Sequence, residues 1–416
     1  MWCRVTGWAL AFALLGALGQ VLAASSASSL KVSLLIISRA QLAAYQAQID
    51  RFKLTYPEMK VDVDFIENES YKKHFVASLT GKPAPDVMFA FAGHAISNAA
   101  RAGQLVPLDQ VLSTTAWQAT FNQAIRTAVN VDGKHYALPL HYYQWGMYYN
   151  KSVFRELHLV PPKNWAELLT WCHTAREQGI EPILVGGREG WPLAGWFDYL
   201  DLRINGLAFH LQLMRGEVPF TDARVRQVFE HWQRLFNREC FNDDMAQRGW
   251  RDVLSRLYRA KAGLMLMGNF WTSQIPPALR NQIGFIPFPH VVDKLPLYED
   301  APLDVLIMPA NGANRTEAEL FLRFMARADI QATISQSVGM LPGHVDAAIG
   351  DDMFLVAGRQ LLNRAEGSAQ FLDRDTPPGF AALAIDAFLQ FVRRPAEIDP
   401  IVQQLESARR QYLQKQ

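Results

Sequence analysis

The chain has 416 residues, half of them apolar and 19% charged, which excludes a disordered chain and a miniature fold. Its 41 Lys+Arg nearly balance 40 Asp+Glu, so the basic excess expected of a nucleic-acid or membrane-surface binder is missing.

Residues 1–24 carry Arg4, an apolar run from Trp8 to Gly19 and the small-residue ending Ala23-Ala24. This is the pattern of a secretory signal peptide, cut near Ala23 or Ala24, and the run falls short of the ~20 residues that a spanning helix needs. Cys3 lies in the charged n-region, away from a lipidation position. A soluble, exported, periplasmic chain is expected, and loss of Arg4 leaves its acids and bases equal in number. Cys172 and Cys240 remain. Connectivity cannot be read from sequence, and two buried thiols are favoured over a bridge.

After a Ser-rich stub, Val32 to Ile37 reads as a buried strand, and Leu42, Tyr45, Ile49 and Phe52 share one helical face that stops at Pro57. Val61, Val63 and Phe65 alternate with Asp62 and Asp64 as a half-buried strand. A helix through Tyr71, Phe75 and Leu79 leads past Pro83 and Pro85 to the strand Asp86–Phe91. Gly146 to Asn150 is strand-like. Asn164 with Glu167 caps a helix through Trp165, Leu168, Leu169 and Cys172, which Gly179 closes. Val225, Val228, Phe229, Trp232, Leu235 and Phe236 form another stripe; Thr316 with Glu319 opens a further helix, and Asp399-Pro400 caps the last.

Alternating strands and helices predict an α/β fold, and a chain this long exceeds the ~250–300 residues at which one core stops growing. Breaks at Leu138-Pro139-Leu140 and Ile286-Pro287-Phe288-Pro289 divide it into two lobes, 25–140 with 290–333 and 141–289 with 334–416. Two separated breaks mean that the chain crosses more than once, which makes a hinge.

No HExxH, Gly-x-Ser-x-Gly, P-loop or GxGxxG occurs, so no catalytic residues are assigned. Val185–Gly190 reads as a loop needing positive φ at glycine rather than as an anion cradle. Asp243-Asp244, Asp351-Asp352 and Asp373 with Asp375 read as surface acids before glycosidase pairs. His141-Tyr142-Tyr143 could ligate ferric iron, whereas Tyr148-Tyr149 lies in a strand and packs. Every Trp past residue 24 falls between Trp117 and Trp271. Trp165, Trp171 and Trp232 lie on apolar helical faces; Trp191 and Trp271 follow strands, in the loops where α/β sheets bind ligands.

Ala84-Pro85-Asp86-Val87, Gly103–Asp109, Asp132–Pro139, Met147–Lys151, Pro161–Trp165, Ala262–Gly268 and Ile283–Pro287 occur in the order and spacing of the extracellular solute-binding proteins of ABC importers. The chain resembles their sugar-binding branch, which includes maltose-binding protein. The resemblance implies a two-lobe periplasmic-binding-protein-like fold of class II, with crossing hinge strands. It implies a monomeric, non-enzymatic receptor without cofactor or metal that closes on a sugar and delivers it to an inner-membrane permease. Matched position by position, it places Ser38, Arg39, Gly93 and His94 from the first lobe at the cleft. Tyr142 and Tyr143 come from the hinge, Arg188, Trp191, Asn269 and Trp271 from the second lobe, and Asp304 from the returning strand. Trp271 matches the ring-stacking aromatic. The acids of maltose-binding protein at the hinge and on the second-lobe loop are here Tyr143 and Gly186, which speaks against maltodextrin. A ferric-ion or glycerol-phosphate binder and a secreted glycosidase are the alternatives.

Overall fold

A computed structural model describes residues 28–414; the leader assigned to residues 1–24 lies outside them. Two sheets, each flanked by helices, make a two-lobe α/β fold. The first has six strands, in the order Leu341–Pro342, Ala137–Tyr142, Leu303–Ile307, Val87–Phe91, Ser29–Ile36, Lys60–Glu67. Ser29–Ile36 runs parallel to both Lys60–Glu67 and Val87–Phe91, whereas Leu303–Ile307 is antiparallel to its two neighbours. The second sheet has the order Ile283–Ile286, Trp145–Asn150, Ala262–Gly268, Glu181–Ile183.

Local chemistry accounts for most elements. The helix Arg39–Thr55 begins where Ser38 Oγ accepts the Gln41 N–H at 3.1 Å, and buries Tyr45, Ile49 and Phe52. The helix Trp165–Glu177 starts on Asn164, whose Oδ1 accepts the Glu167 N–H at 3.0 Å. Glu167 in return accepts the Lys163 N–H just ahead of the cap, close to a reciprocal capping box. The stripe of Val225, Val228, Phe229, Trp232 and Leu235 is the buried face of Ala223–Asn237. The final helix spans Ile398–Tyr412, so Asp399 lies inside its first turn and the cap position is Glu397. In the Gly-rich loop only Gly190 takes positive φ, +78°. Among the described residues no helix is long and apolar enough to cross a membrane.

The crossings differ from the expected breaks. Pro139 lies inside the strand Ala137–Tyr142, not at its end. Pro cannot donate to a ladder, and here the register slips, Asp304 facing His141 and Val305 facing Pro139, a bulge that tolerates the missing N–H. The first crossing is therefore Tyr143-Gln144, between that strand and Trp145–Asn150. After Ile286 the chain stays with the second lobe: Phe288 packs on Trp196 and Tyr199, and Tyr298–Asp300 pairs with Gly367–Ala369. It rejoins the first sheet at Leu303 instead of 290, and Leu341–Pro342 still belongs to that sheet, beyond the expected limit of 333.

Two further expectations are corrected. Cys172 and Cys240 form a disulfide, joining the helix Trp165–Glu177 to the segment that bridges Ile183 through Phe241. Trp271 is wholly buried, between the edge of Tyr148 at 5.2 Å and the stacked ring of Tyr258 at 6.1 Å. Thermal unfolding should show Trp271→Ala to be destabilised by about 3–5 kcal/mol, the cost of emptying a large core site. Reduction, or Cys172→Ala with Cys240→Ala, should lower the unfolding temperature, with ~2–5 kcal/mol lost for a loop of this kind. Oxidised and reduced wild type melting together would remove that role for the bond.

Candidate ligand-binding cleft

Between the sheets lies a cleft that is partly open to solvent. The first lobe lines it from the carboxyl ends of its strands and the first turns of the following helices: Leu35, Ile37, Gln41, Asn68, Lys72 and Phe91. The returning strand adds Asp304 and the first crossing adds Tyr143. The second lobe contributes Trp145, Trp191, Trp250 and Phe270, then Phe371, Asp373 and Arg374 from the turn before its last helices.

The second-lobe wall is aromatic and self-supporting. Trp191 stands edge-on to Trp145, Trp250 and Phe270 at 6.0, 6.2 and 5.9 Å, and Phe371 stacks on Trp145 at 4.8 Å. Edge-to-face contact suits the ring quadrupoles and fixes the plane of each ring before any ligand arrives. Trp145, Trp250 and Phe270 are buried, whereas Trp191 stays half-exposed. It opens the helix Trp191–Ile204 after Gly190, where positive φ and an Ile385 methyl 2.2 Å from any added Cβ leave room for glycine alone.

The opposite wall is mixed: beside the apolar Leu35, Ile37 and Phe91 lies a polar cluster, into which the second lobe inserts Arg374. Arg374, its side chain 9% exposed, donates to Asp304 Oδ1 at 3.0 Å, to the Leu303 carbonyl at 3.3 Å and to the Tyr143 hydroxyl at 2.7 Å. Its guanidinium also lies 4.1 Å from the centre of the Phe91 ring. Asp304 Oδ2 is 3.2 Å from His141 Nδ1, so this buried carboxylate faces a cation on one side and an imidazole on the other. Burial raises the Tyr143 phenol well above its ordinary range against the pull of Arg374, so it stays a neutral hydroxyl. Lys72 Nζ lies 3.5 Å from Asp373, a pair with one partner on each lobe. Arg251, stacked 4.2 Å over Trp250, donates to the Ile37 carbonyl at 2.8 Å and so also spans the gap.

Of the residues expected at the cleft, Tyr143, Trp191 and Asp304 line it. The others do not. The Ser38 hydroxyl is taken up in its helix cap, and Arg39 is exposed beside it. Gly93 meets the second lobe by backbone: at φ +119°, an added Cβ would come 2.4 Å from the Arg374 carbonyl. His94 opens the helix His94–Arg101 half-buried, its pKa lowered by burial and by Arg101. Tyr142 lines a separate groove on the hinge side. Arg188 pairs outside the cleft with Asp252 at 2.9 Å and Glu189 at 3.1 Å. Asn269 is buried, accepting from the Tyr148 hydroxyl and donating to the Gly339 carbonyl, each at 2.6 Å. Trp271 packs behind the aromatic wall, and its neighbour Phe270 takes the lining position.

The residues weighed for iron binding and for glycoside hydrolysis lie apart. Tyr142 and Tyr143 serve different cavities, and the Tyr143 oxygen is engaged by Arg374. Among the described residues no three His, Cys, Asp or Glu side chains gather to hold a metal. Both lining carboxylates, Asp304 and Asp373, sit in ion pairs, whereas Asp244 pairs with Arg256 and Arg248, and Asp352 caps a helix. The residues missed by sequence, chiefly Lys72, Trp145, Trp250, Phe270 and Arg374, come from five separate segments; the uneven Trp distribution was the signal that pointed toward two of them.

Residues 37–332, more than half of the chain, match the family described as bacterial extracellular solute-binding protein. An uncharacterised ABC transporter extracellular-binding protein of Pyrococcus horikoshii is 24% identical over 320 residues, 73% of this chain and 69% of that one. A probable sugar-binding periplasmic protein of Rhizobium meliloti is 28% identical over 198 residues, 47% of this chain and 46% of that one. Among solved structures, the bacterial solute receptor AcbH, described as having an exclusive preference for β-D-galactopyranose, superposes with a TM-score of 0.85 at 26% identity, covering 92% of this chain and 98% of its own. The two-lobe fold, the interlobe cleft and this match lead to one conclusion: the chain belongs to the bacterial extracellular solute-binding protein family.

Proposed function

We propose that this protein is the periplasmic, monomeric binding component of an ABC importer, which takes a sugar into the interlobe cleft and delivers it to the membrane permease without chemical change. The observation that carries this reading is the pairing of surfaces in the cleft: an aromatic wall around Trp191 lies within reach of Gln41, Asn68, Lys72 and Asp304, which stand among Leu35, Ile37 and Phe91. A pyranose calls for both kinds of surface. Its C–H face is apolar and stacks on an indole, whereas its hydroxyls need donors and acceptors at the rim. Ionised side chains strengthen those hydrogen bonds and orient the ring. The cleft carboxylates are engaged with Arg374 and Lys72, which supports binding over hydrolysis, where one carboxyl must serve as a proton donor. The similarity to a galactose receptor favours a short ligand.

Isothermal titration with D-galactose, D-glucose and maltose tests the reading; absence of heat with every sugar, alongside binding of ferric citrate or glycerol phosphate, would overturn it. Trp191→Ala should weaken sugar binding by about 1–3 kcal/mol with little change in unfolding temperature, as expected of a half-exposed aromatic anchor. Arg251→Ala, which removes a bond between the lobes, should speed sugar release in stopped-flow fluorescence more than it slows uptake.

A further inference from the structure

His141 is wholly buried and does not line the cleft, and neither does Tyr45 beside it. Both lie between two polar groups that do. Gln41 and Tyr45 are one turn apart on the buried face of the helix Arg39–Thr55. His141, on the strand Ala137–Tyr142, stands opposite Asp304 of Leu303–Ile307. None of the four is more than 3% exposed, yet Gln41 and Asp304 reach the cleft.

Their contacts form a chain. Gln41 Oε1 accepts the Ile37 N–H at 2.7 Å, and the Gln41 side chain also hydrogen-bonds the Tyr45 hydroxyl. That hydroxyl lies 3.5 Å from His141 Nε2, and His141 Nδ1 lies 3.2 Å from Asp304 Oδ2. Arg374 closes the far end, donating to Asp304 Oδ1 at 3.0 Å.

We propose that Tyr45 and His141 are positioning residues for the cleft: they form a buried relay, with the imidazole proton on Nδ1, that fixes Gln41 and the Asp304 carboxylate for the hydroxyls of a sugar. The proposal rests on the sugar-binding reading above for its ligand, though not for the relay itself.

The place of each proton follows from the supply of donors and acceptors. The Gln41 oxygen is taken by the Ile37 N–H, so its amide N–H donates to the Tyr45 oxygen. Burial, with the charge of Asp304 adding to it, raises the Tyr45 phenol above its ordinary range. The phenol therefore keeps its proton and donates it to His141 Nε2. Nδ1 then carries the ring proton, and the acceptor it faces is Asp304 Oδ2. The other tautomer would set a nitrogen lone pair against a carboxylate oxygen and leave the phenol proton without an acceptor. Both are costly inside a protein.

Arg374 reaches Asp304 from the second lobe, whereas His141 and Asp304 lie on neighbouring strands of the first sheet. The relay thus holds the carboxylate without help from across the gap. An acceptor whose plane is fixed beforehand gives up less freedom when a hydroxyl arrives. A site built to take a hydroxyl also rejects the analogue that lacks it.

Long-range ¹H–¹⁵N spectra of the sugar-free protein show which ring nitrogen of each histidine carries the proton, and His141→Asn identifies the His141 signals. A proton on Nδ1, with signals displaced in Tyr45→Phe, is expected; a proton on Nε2 alone overturns the relay. Titration with D-galactose, D-glucose and their monodeoxy analogues reads its effect on binding. Tyr45→Phe and His141→Leu should each bind the parent sugar about tenfold more weakly, the factor for one hydrogen bond to a charged acceptor. Both should narrow the preference for the parent over the analogue whose binding Asp304→Asn leaves unchanged, and His141→Asn, which keeps a donor near Nδ1, should restore most of it. Equal weakening toward every analogue marks a merely structural role and overturns the proposal, as does full affinity in both variants. Should His141→Leu not fold, Tyr45→Phe, which removes a single oxygen, decides the matter. Wild type that binds none of these sugars, yet shows the Nδ1 proton and its dependence on Tyr45, supports the relay and overturns the sugar reading instead.

Discussion

A guanidinium withdrawn from water must be given acceptors on all sides, and the cleft is organised around that demand at Arg374. Its partners are drawn from separate stretches of chain: Asp304 and the Leu303 carbonyl from the returning strand, Tyr143 from the first crossing, and the face of Phe91 from a strand of the first sheet. Leaving a buried charge without such partners costs several kcal/mol, so these segments are held to one arrangement or the site does not form. The backbone of the same residue touches Gly93, which brings the lobes together where a side chain would keep them apart.

The two walls are built by different physics. The aromatic wall is a continuation of the second-lobe core, in which Trp145, Trp250 and Phe270 are buried and only Trp191 remains open. The facing wall belongs to strand ends and helix starts, where backbone and side-chain polarity is concentrated. The two walls therefore present different groups to the same cleft. Lys72 with Asp373, and Arg251 with the Ile37 carbonyl, lie across that gap as polar contacts near solvent.

Much of the fold was legible because periodicity reports burial directly. The strands at Ser29–Ile36 and Lys60–Glu67 and the stripe on Ala223–Asn237 all follow from apolar spacing. The crossings were less legible, since Pro139 signals a break but sits within a strand whose partner is bulged. The lining of the cleft was legible mainly at Tyr143, Trp191 and Asp304. Trp191 and Trp271 look alike in sequence, each following glycine and a strand. The 3-10 turn Asn269–Gln274 directs Phe270 toward the cleft and Trp271 into the core, a choice set by packing against Tyr148 and Tyr258. Arg374 and Asp304 are joined over a separation of 70 residues, and Cys172 and Cys240 over 68; a single sequence has no local mark for such pairings.

The disulfide also bears on when the molecule becomes itself. Thiols stay reduced in the cytosol and oxidise outside it, so a chain newly made in the cytosol lacks the link between the helix Trp165–Glu177 and the segment at Cys240. Until then the aromatic half of the cleft rests on a lobe missing its one covalent tie among the described residues. Compartment thus decides whether the lobe carries this tie: an oxidising one adds a link that a reducing one withholds.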